Sequence, residues 1–404
     1  MNPPRHSFFI GVPRNLEPLL LDELVEMGIP APRVRYLGVE AELTREEVYS
    51  VVYASRIASR VLRPLAVFSC RDPEGLYEEA LKLNWDRILK PGQTLKISAT
   101  VSDSMITHSQ YAALKLKDAV VDCLRERTGT RPTVDRDNPD IRLNLHIRHD
   151  QATISLYYSE GVMHRRGYRL RSTEAPLKEN LAASVIRFAG WTGDTPFLDL
   201  FCGSGTFLIE AAMSATHTPA GFFRSRQGFE SLPDFSQEGW DKIRASWNEK
   251  IQPLPMGRIT GVDKSAEALA STRANLAKTP YADSIKLVQK DFTRLEGRYP
   301  ASTIVANPPY GLRLEDSQDG LRELYSGIGQ FLKTKCPDSL ACLLIPAGKA
   351  LEKEIGFNPE RRIYIDNGAV EVGMAAYKIF GDKPRKPVVA PESPEANLLP
   401  DSLQ

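Results

Sequence analysis

The sequence has no apolar run near the roughly 20 residues that span a bilayer, so no membrane-spanning helix is expected. Its start, Met1 to His6, is polar and is followed by a short apolar patch, which does not make a signal peptide. Cysteine is scarce: Cys70, Cys123, Cys202, Cys336 and Cys342 are an odd set with no Cys-x-x-Cys pair. That spacing argues against a disulfide framework and a zinc site, so no metal is expected and the cytoplasm is the default compartment. Net charge is nearly absent as well, at +1 over 404 residues. Any attraction for a polyanion must therefore be local. One stretch supplies it: between Ile141 and Arg171 stand Arg142, Arg148, Arg165, Arg166, Arg169 and Arg171 against only Asp150 and Glu160. By itself such a stretch reads as a solvated, arginine-rich hairpin.

At 404 residues the chain calls for two or three domains. Phe8 to Val12 reads as a strand, followed by a helix from about Asn15 to Met27 that stops at Gly28. Val34 to Leu43 is strand-like. Thr44 and Glu47 form a capping box opening a helix to about Ala58, and Val61 to Phe68 reads as another strand. A helix is expected from about Ser109 to Thr128, with Ala112, Leu116, Ala119, Val120 and Cys123 on its apolar stripe. Ile141, Leu143, Leu145 and Ile147 then alternate with Arg142, Asn144, His146 and Arg148. After His149-Asp150-Gln151 the alternation resumes through Tyr158, so the pair reads as a hairpin with one polar, basic face. Gly161 to Thr173 reads as a basic connector. From Ala175 to about Phe380 strands and helices alternate, and a proline-rich segment at 382–404 reads as a disordered tail.

The chemistry-bearing motifs lie in that α/β stretch. Phe197 to Thr206 is a buried strand running into a turn with Gly203 and Gly205, followed by an apolar helix. Glycines there let backbone approach a ligand, and the helix start presents free N–H groups. Leu208 occupies the place of the third glycine of a dinucleotide fingerprint, which counts against NAD. Asp199, Asp263 and Asp291 each end a strand. Asp263 suits ribose hydroxyls, Asp291 an adenine amino group, and Phe292 an adenine ring. A single strand-end acid is ordinary, but three in succession with helices between them form a nucleoside-binding pattern. Thr303 to Ala306 then leads directly into Asn307-Pro308-Pro309-Tyr310. Prolines fix the turn and leave carbonyls free to accept. The Asn307 side-chain oxygen and the Pro308 carbonyl can take both hydrogens of an exocyclic amine, turning its lone pair towards a methyl donor. Tyr310 offers a ring for a flipped base. None of the cysteines stands near this motif as a nucleophile, which argues against methylation at a ring carbon.

These motifs in this order resemble the class I methyltransferases of the Asn-Pro-Pro-Tyr type. With His164-Arg165-Arg166-Gly167-Tyr168-Arg169, Ala175 to Ala183 and Gly311-Leu312-Arg313-Leu314, nearly the whole chain resembles the THUMP-containing bacterial 23S ribosomal RNA (guanine-N2) methyltransferases. The resemblance implies a Rossmann-like α/β domain with a seven-stranded sheet at 175–381, ending in the hairpin Arg361–Asp366 and Val370–Phe380. It implies a ferredoxin-like unit at 1–68, a THUMP domain at 69–160 and a linker at 161–174. Met213 to Met256 matches a family insertion around Gly228-Phe229-Glu230.

The implied cofactor is S-adenosylmethionine, held by Pro176, Asp199, Phe201, Cys202, Gly203, Gly205, Thr206, Asp263, Lys264, Asp291, Phe292 and Asn307. Catalysis falls to Asn307, Pro308, Pro309 and Tyr310, and RNA contact to Lys115, Arg142, Arg148, Arg165, Arg166 and Arg169. The expected partner is 23S ribosomal RNA or a pre-ribosomal particle, with transfer RNA as the alternative, and the protein is expected to be a monomer. A non-catalytic RNA-binding assembly factor is the reading from another class. Phe201 stands where many relatives show a methionine or another residue. Some relatives carry a second methyltransferase domain where this chain has only the tail, so one activity is expected.

Overall fold

The computed structural model describes residues 3–172, 176–311, 317–367 and 370–381. The expected tail, residues 173–174 at the end of the connector, Ala175 at the start of the expected methyltransferase domain, and Leu312, Arg313 and Leu314 lie outside the described residues. Two sheets organise the chain. The first comprises β1 (His6–Gly11), β2 (Arg33–Arg35), β3 (Gly38–Leu43), β4 (Arg60–Ser69), β5 (Thr94–Ser102), β6 (Thr133–Val134), β7 (Ile141–Arg148) and β8 (Gln151–Tyr157), in the order β2-β3-β1-β4-β8-β7-β5-β6. The long strand β4 joins the N-terminal unit to the next. It pairs with β1 at one end and runs antiparallel to β8 from Leu62 opposite Tyr157 to Ser69 opposite Gln151, with an irregularity between Pro64 and Ala66. The domain boundary expected at residue 68 thus falls inside a strand that both units share.

Local chemistry explains these elements. α1 (Glu17–Glu26) stops two residues before Gly28, and α2 (Arg45–Ala54) opens on Thr44, whose hydroxyl accepts from the Glu47 N–H at 3.2 Å while Glu47 accepts from the Thr44 N–H at 2.8 Å. His149 and Asp150 both take positive φ, which gives β7 and β8 the tight turn whose twist matches a hairpin. α3 (Pro73–Leu81) and α4 (Ser109–Thr128) belong to the same unit, and α4 buries Leu116, Ala119 and Val120.

The second sheet contains β9 (Phe197–Asp199), β10 (Ile259–Asp263), β11 (Ile285–Gln289), β12 (Thr303–Ala306), β13 (Ser339–Pro346), β14 (Arg361–Asn367) and β15 (Val370–Ile379). Its order is β11-β10-β9-β12-β13-β15-β14. All pairings up to β13 are parallel, while β15 runs antiparallel to both its neighbours. This is the Rossmann-like seven-stranded arrangement with a terminal hairpin. α5 (Glu179–Phe188), α6 (Thr206–Ala215), α7 (Gln237–Asn248), α8 (Ala266–Leu276), α9 (Gln318–Lys335) and α10 (Lys349–Glu354) complete it. The buried runs of β9 and β12 are apolar apart from Asp199 and Thr303, as strands covered on both faces require.

The connector from 161 onward corrects the expectation of a solvated basic segment. Met163, Arg166 and Tyr168 are all buried. Arg166 pairs with Glu210 of α6 at 3.3 Å with both side chains fully enclosed, and the Tyr168 hydroxyl donates to the same carboxylate. Gly167 makes this path possible: at φ +102°, a Cβ would sit 2.2 Å from the Phe223 carbonyl oxygen. Arg224 of the long α6–β10 connection donates to carbonyls of Met163, Arg165 and Val52. Arg56 donates to those of Met213 and Thr218. In the same connection Phe229 stacks on Tyr49 of α2 at 4.1 Å between centroids. The insertion therefore packs the N-terminal unit onto the catalytic sheet.

Candidate active site

Successive parallel strands place the sequence motifs side by side. Asp199 of β9 lies in register with Gly261 of β10 and Val305 of β12, and Asp263 with Gln289 of β11. Asp291, Asp263, the turn after Asp199, and Asn307 consequently leave four neighbouring strand ends in that spatial order, each step about 4.8 Å. β10 and β11 extend the sheet to one side of β9 and β12 to the other. The crevice between the glycine turn and Asn307 is thus the switch point where open α/β sheets bind ligands.

The glycine turn carries its geometry in the backbone. Gly203 and Gly205 have φ of +54° and +83°, and a Cβ on Gly205 would meet Thr272 at 2.8 Å. Thr206 begins α6, and no side chain caps its first turn. Asp263 is half-buried and accepts from the Gly203 and Ser265 N–H groups, each at 2.9 Å, one on each oxygen. Each oxygen keeps a further lone pair. Asp199 is fully buried. It accepts from the Phe201 N–H at 3.1 Å, and its other oxygen has no partner among the described residues. Burial, and to a lesser degree the Asp263 charge, hold the Asp199 carboxyl well above the usual carboxylate range, with the Phe201 N–H opposing. Asp291 accepts at one oxygen from the backbone and hydroxyl of Thr293, and the hydroxyl contact lowers its pKa. Phe292 is buried, with Phe201 on one side at 5.3 Å and Phe331 at 5.8 Å. Lys264 and Pro176 are exposed, the latter beside Leu177. Burial raises the Cys202 thiol, so it is held as a neutral thiol.

Asn307 and Tyr310 are half-buried, Pro308 is buried and Pro309 exposed. The Tyr310 hydroxyl donates to the Asn307 side-chain oxygen. Tyr325 of α9, fully buried, donates to the Pro309 carbonyl at 3.4 Å and backs the turn. The sequence gives no pattern that singles out Tyr325, because it reads as one more apolar-face residue of an amphipathic helix. Thr272 and Asn275 of α8, which bond the Gly203 and Ser204 carbonyls at 2.7 and 2.9 Å, were equally illegible. Glu210 did leave a signal: it is the one charged residue in the apolar run Phe207 to Met213.

The six basic residues expected at RNA separate into three kinds. Arg148 and Arg165 reach the surface, where the Arg148 guanidinium lies over the Tyr36 ring at 5.0 Å and 3.7 Å from the exposed Asp103 carboxylate. Lys115 is held by Glu74 at 2.9 Å and Arg142 by Glu160 at 3.3 Å. Arg166 and Arg169 are internal. Arg166 fills a sealed ion pair, and Arg169 donates to Glu179, Ser204, Leu177 and Thr206. The expectation for Arg166 is corrected on this ground: a fully enclosed guanidinium cannot meet a phosphate.

The sheet order, the glycine turn and the Asn-Pro-Pro-Tyr strand end together define a class I methyltransferase fold. Residues 166–375 match the RMKL-like methyltransferase domain, 70–157 the THUMP domain and 7–62 the RlmL ferredoxin-like domain. The chain belongs to the RMKL-like methyltransferase family. It is 36% identical over 95% of its length to the ribosomal RNA large subunit methyltransferase K/L of Syntrophotalea carbinolica, and spans 56% of that relative. A Synechocystis protein named as a prospective RNA methyltransferase is 32% identical over 92% of this chain and 97% of its own. In fold, a protein named as a prospective methyltransferase and crystallised with S-adenosylhomocysteine superposes with a TM-score of 0.83 at 24% identity, over 94% of this chain and 99% of its own. Among the described residues no helix is long and apolar enough to cross a membrane.

Proposed function

We propose that the chain transfers a methyl group from S-adenosylmethionine to the exocyclic N2 amine of a guanine in 23S ribosomal RNA. The observation that carries this reading is the row of strand ends, with Asp291, Asp263 and the glycine turn on one side of the switch point and Asn307 on the other. The residues fit the cofactor: a backbone cradle at positive φ, two carboxylates for a nucleoside, and the unpartnered oxygen of buried Asp199. Asp263 would hold the ribose and Asp291 the adenine. When bound, the sulfonium supplies the electrophilic methyl. Asn307 and the Pro308 carbonyl draw the two amine hydrogens into line, and the Asn307 oxygen can accept one alongside the Tyr310 hydroxyl or in its place. Tyr310 then offers its ring to the base. The large ribosomal RNA comes from the names of the K/L relatives and guanine N2 from the motif resemblance alone, since an adenine amine presents the same two hydrogens.

The test is incubation with S-adenosylmethionine and either 23S ribosomal RNA or transfer RNA from a strain lacking the gene, followed by nucleoside mass spectrometry. N2-methylguanosine in the ribosomal RNA is expected. N6-methyladenosine, or the mark in transfer RNA alone, contradicts the proposal.

A further inference from the structure

Residues 169–171 belong to neither sheet, yet they form the wall behind the glycine turn. The Arg169 guanidinium donates to the Ser204 hydroxyl at 3.1 Å and the Thr206 hydroxyl at 2.9 Å, the two oxygen-bearing side chains of that turn. Its remaining donors reach the Leu177 carbonyl at 3.0 Å and the Glu179 carboxylate at 2.8 Å. Just beyond it, the Leu170 and Arg171 N–H groups donate to the Asn275 side-chain oxygen at 2.7 and 3.0 Å. The Asn275 amide donates in turn to the Arg171 and Ser204 carbonyls, each at 2.9 Å. Ser204, Thr206, Glu179 and Asn275 are all buried, so these contacts are shielded from water.

Two features separate this arrangement from an ordinary strut. First, the contacts converge on the turn, whose backbone is what a ligand would meet, so losing them frees the ligand-facing groups and not a distant packing surface. Second, the guanidinium is matched to its site. A planar fork with five donors can reach two hydroxyls, a carbonyl and a carboxylate together, and a lysine cannot. With Glu179 neutralising it and only 17% of its side chain exposed, Arg169 is also unavailable to an RNA phosphate.

We infer that Arg169 is a positioning residue for the cofactor: it fixes the glycine turn from behind, so that the segment following the THUMP domain sets the affinity for S-adenosylmethionine. The inference rests on the reading of that turn as the cofactor site. The full chain is tested as Arg169→Met, Arg169→Lys and the milder Ser204→Ala, with calorimetry for S-adenosylhomocysteine, steady-state methylation, RNA binding and thermal melting. Arg169→Met is expected to raise the cofactor Kd and KM about tenfold or more, with kcat at saturating cofactor and RNA affinity within about threefold of wild type. Arg169→Lys should recover part of that loss, and Ser204→Ala should raise Kd by about two- to fivefold without a change in melting. Unchanged cofactor affinity in Arg169→Lys and Ser204→Ala overturns the inference, as does a loss in Arg169→Met shared equally by kcat, RNA binding and melting. Wild-type protein that binds no S-adenosylhomocysteine overturns the reading of the site itself.

Discussion

Asp199 is a carboxyl group enclosed at the end of an apolar strand, accepting one backbone N–H and pushed towards its neutral form. Because its folded pKa lies above the unfolded one, the stability it lends is present below the ordinary carboxylate range and lost as pH rises through the folded value. Asp199→Asn keeps the acceptor for the Phe201 N–H and removes the titration. Urea unfolding at pH 5 and pH 8 should show the variant losing less stability than wild type across that interval, and equal losses would refute the assignment. Tyr310 is the other residue whose chemistry divides cleanly. Its ring and its hydroxyl have separate tasks, the second being the contact to Asn307. Tyr310→Phe should keep methyl transfer within about threefold, whereas Tyr310→Ala should lower kcat/KM by about 10- to 100-fold, the cost of one lost base stack.

At the scale of elements, what was legible followed from periodicity and from local caps. The helix over Ser109–Thr128, the Thr44 capping box and the hairpin around His149-Asp150 all announce themselves within a few residues, whereas the final strand pair came from the family resemblance. The strand-end motifs were legible for the same reason, since glycine, acid and Asn-Pro-Pro-Tyr act where they stand. What failed was the segment from 161 to 172. Its arginines look like surface residues because composition cannot tell a solvated guanidinium from one with a buried partner 44 positions away. That partner, Glu210, makes the segment structural. Removing one side of a sealed ion pair leaves an unpaired charge, so Glu210→Gln should cost about 3–5 kcal/mol in denaturant unfolding. A cost near zero would mean that the pair is hydrated.

For the whole molecule, the joint between the front half and the catalytic sheet gathers Arg56, Arg166 and Arg224 around Glu210 and the surrounding carbonyls. His164 is half-buried in this region. Burial first, then Lys178 and the neighbouring arginines, push its pKa down to about 4. The depressed value means that its contribution is present above an unfolded pKa of about 6.5 and is lost as pH falls through the folded one. His164→Gln should therefore flatten the acid limb of the stability curve between these values; an unchanged limb would place the acid sensitivity elsewhere. The RNA binding proposed for this chain should divide along the same joint. Arg148→Ala and Arg165→Ala should weaken it and reduce its salt slope by about one each, while a folded Arg166→Met should keep the wild-type slope. The central claim is that cofactor binding and amine activation sit on opposite sides of one switch point. Asn307→Ala separates them most directly, with S-adenosylhomocysteine affinity measured by calorimetry and methyl transfer by single turnover on the same preparation. Because Asn307 is one of many residues assigned to the cofactor side, the account predicts an affinity within about threefold of wild type and a rate reduced at least about 100-fold. Unchanged turnover would contradict it.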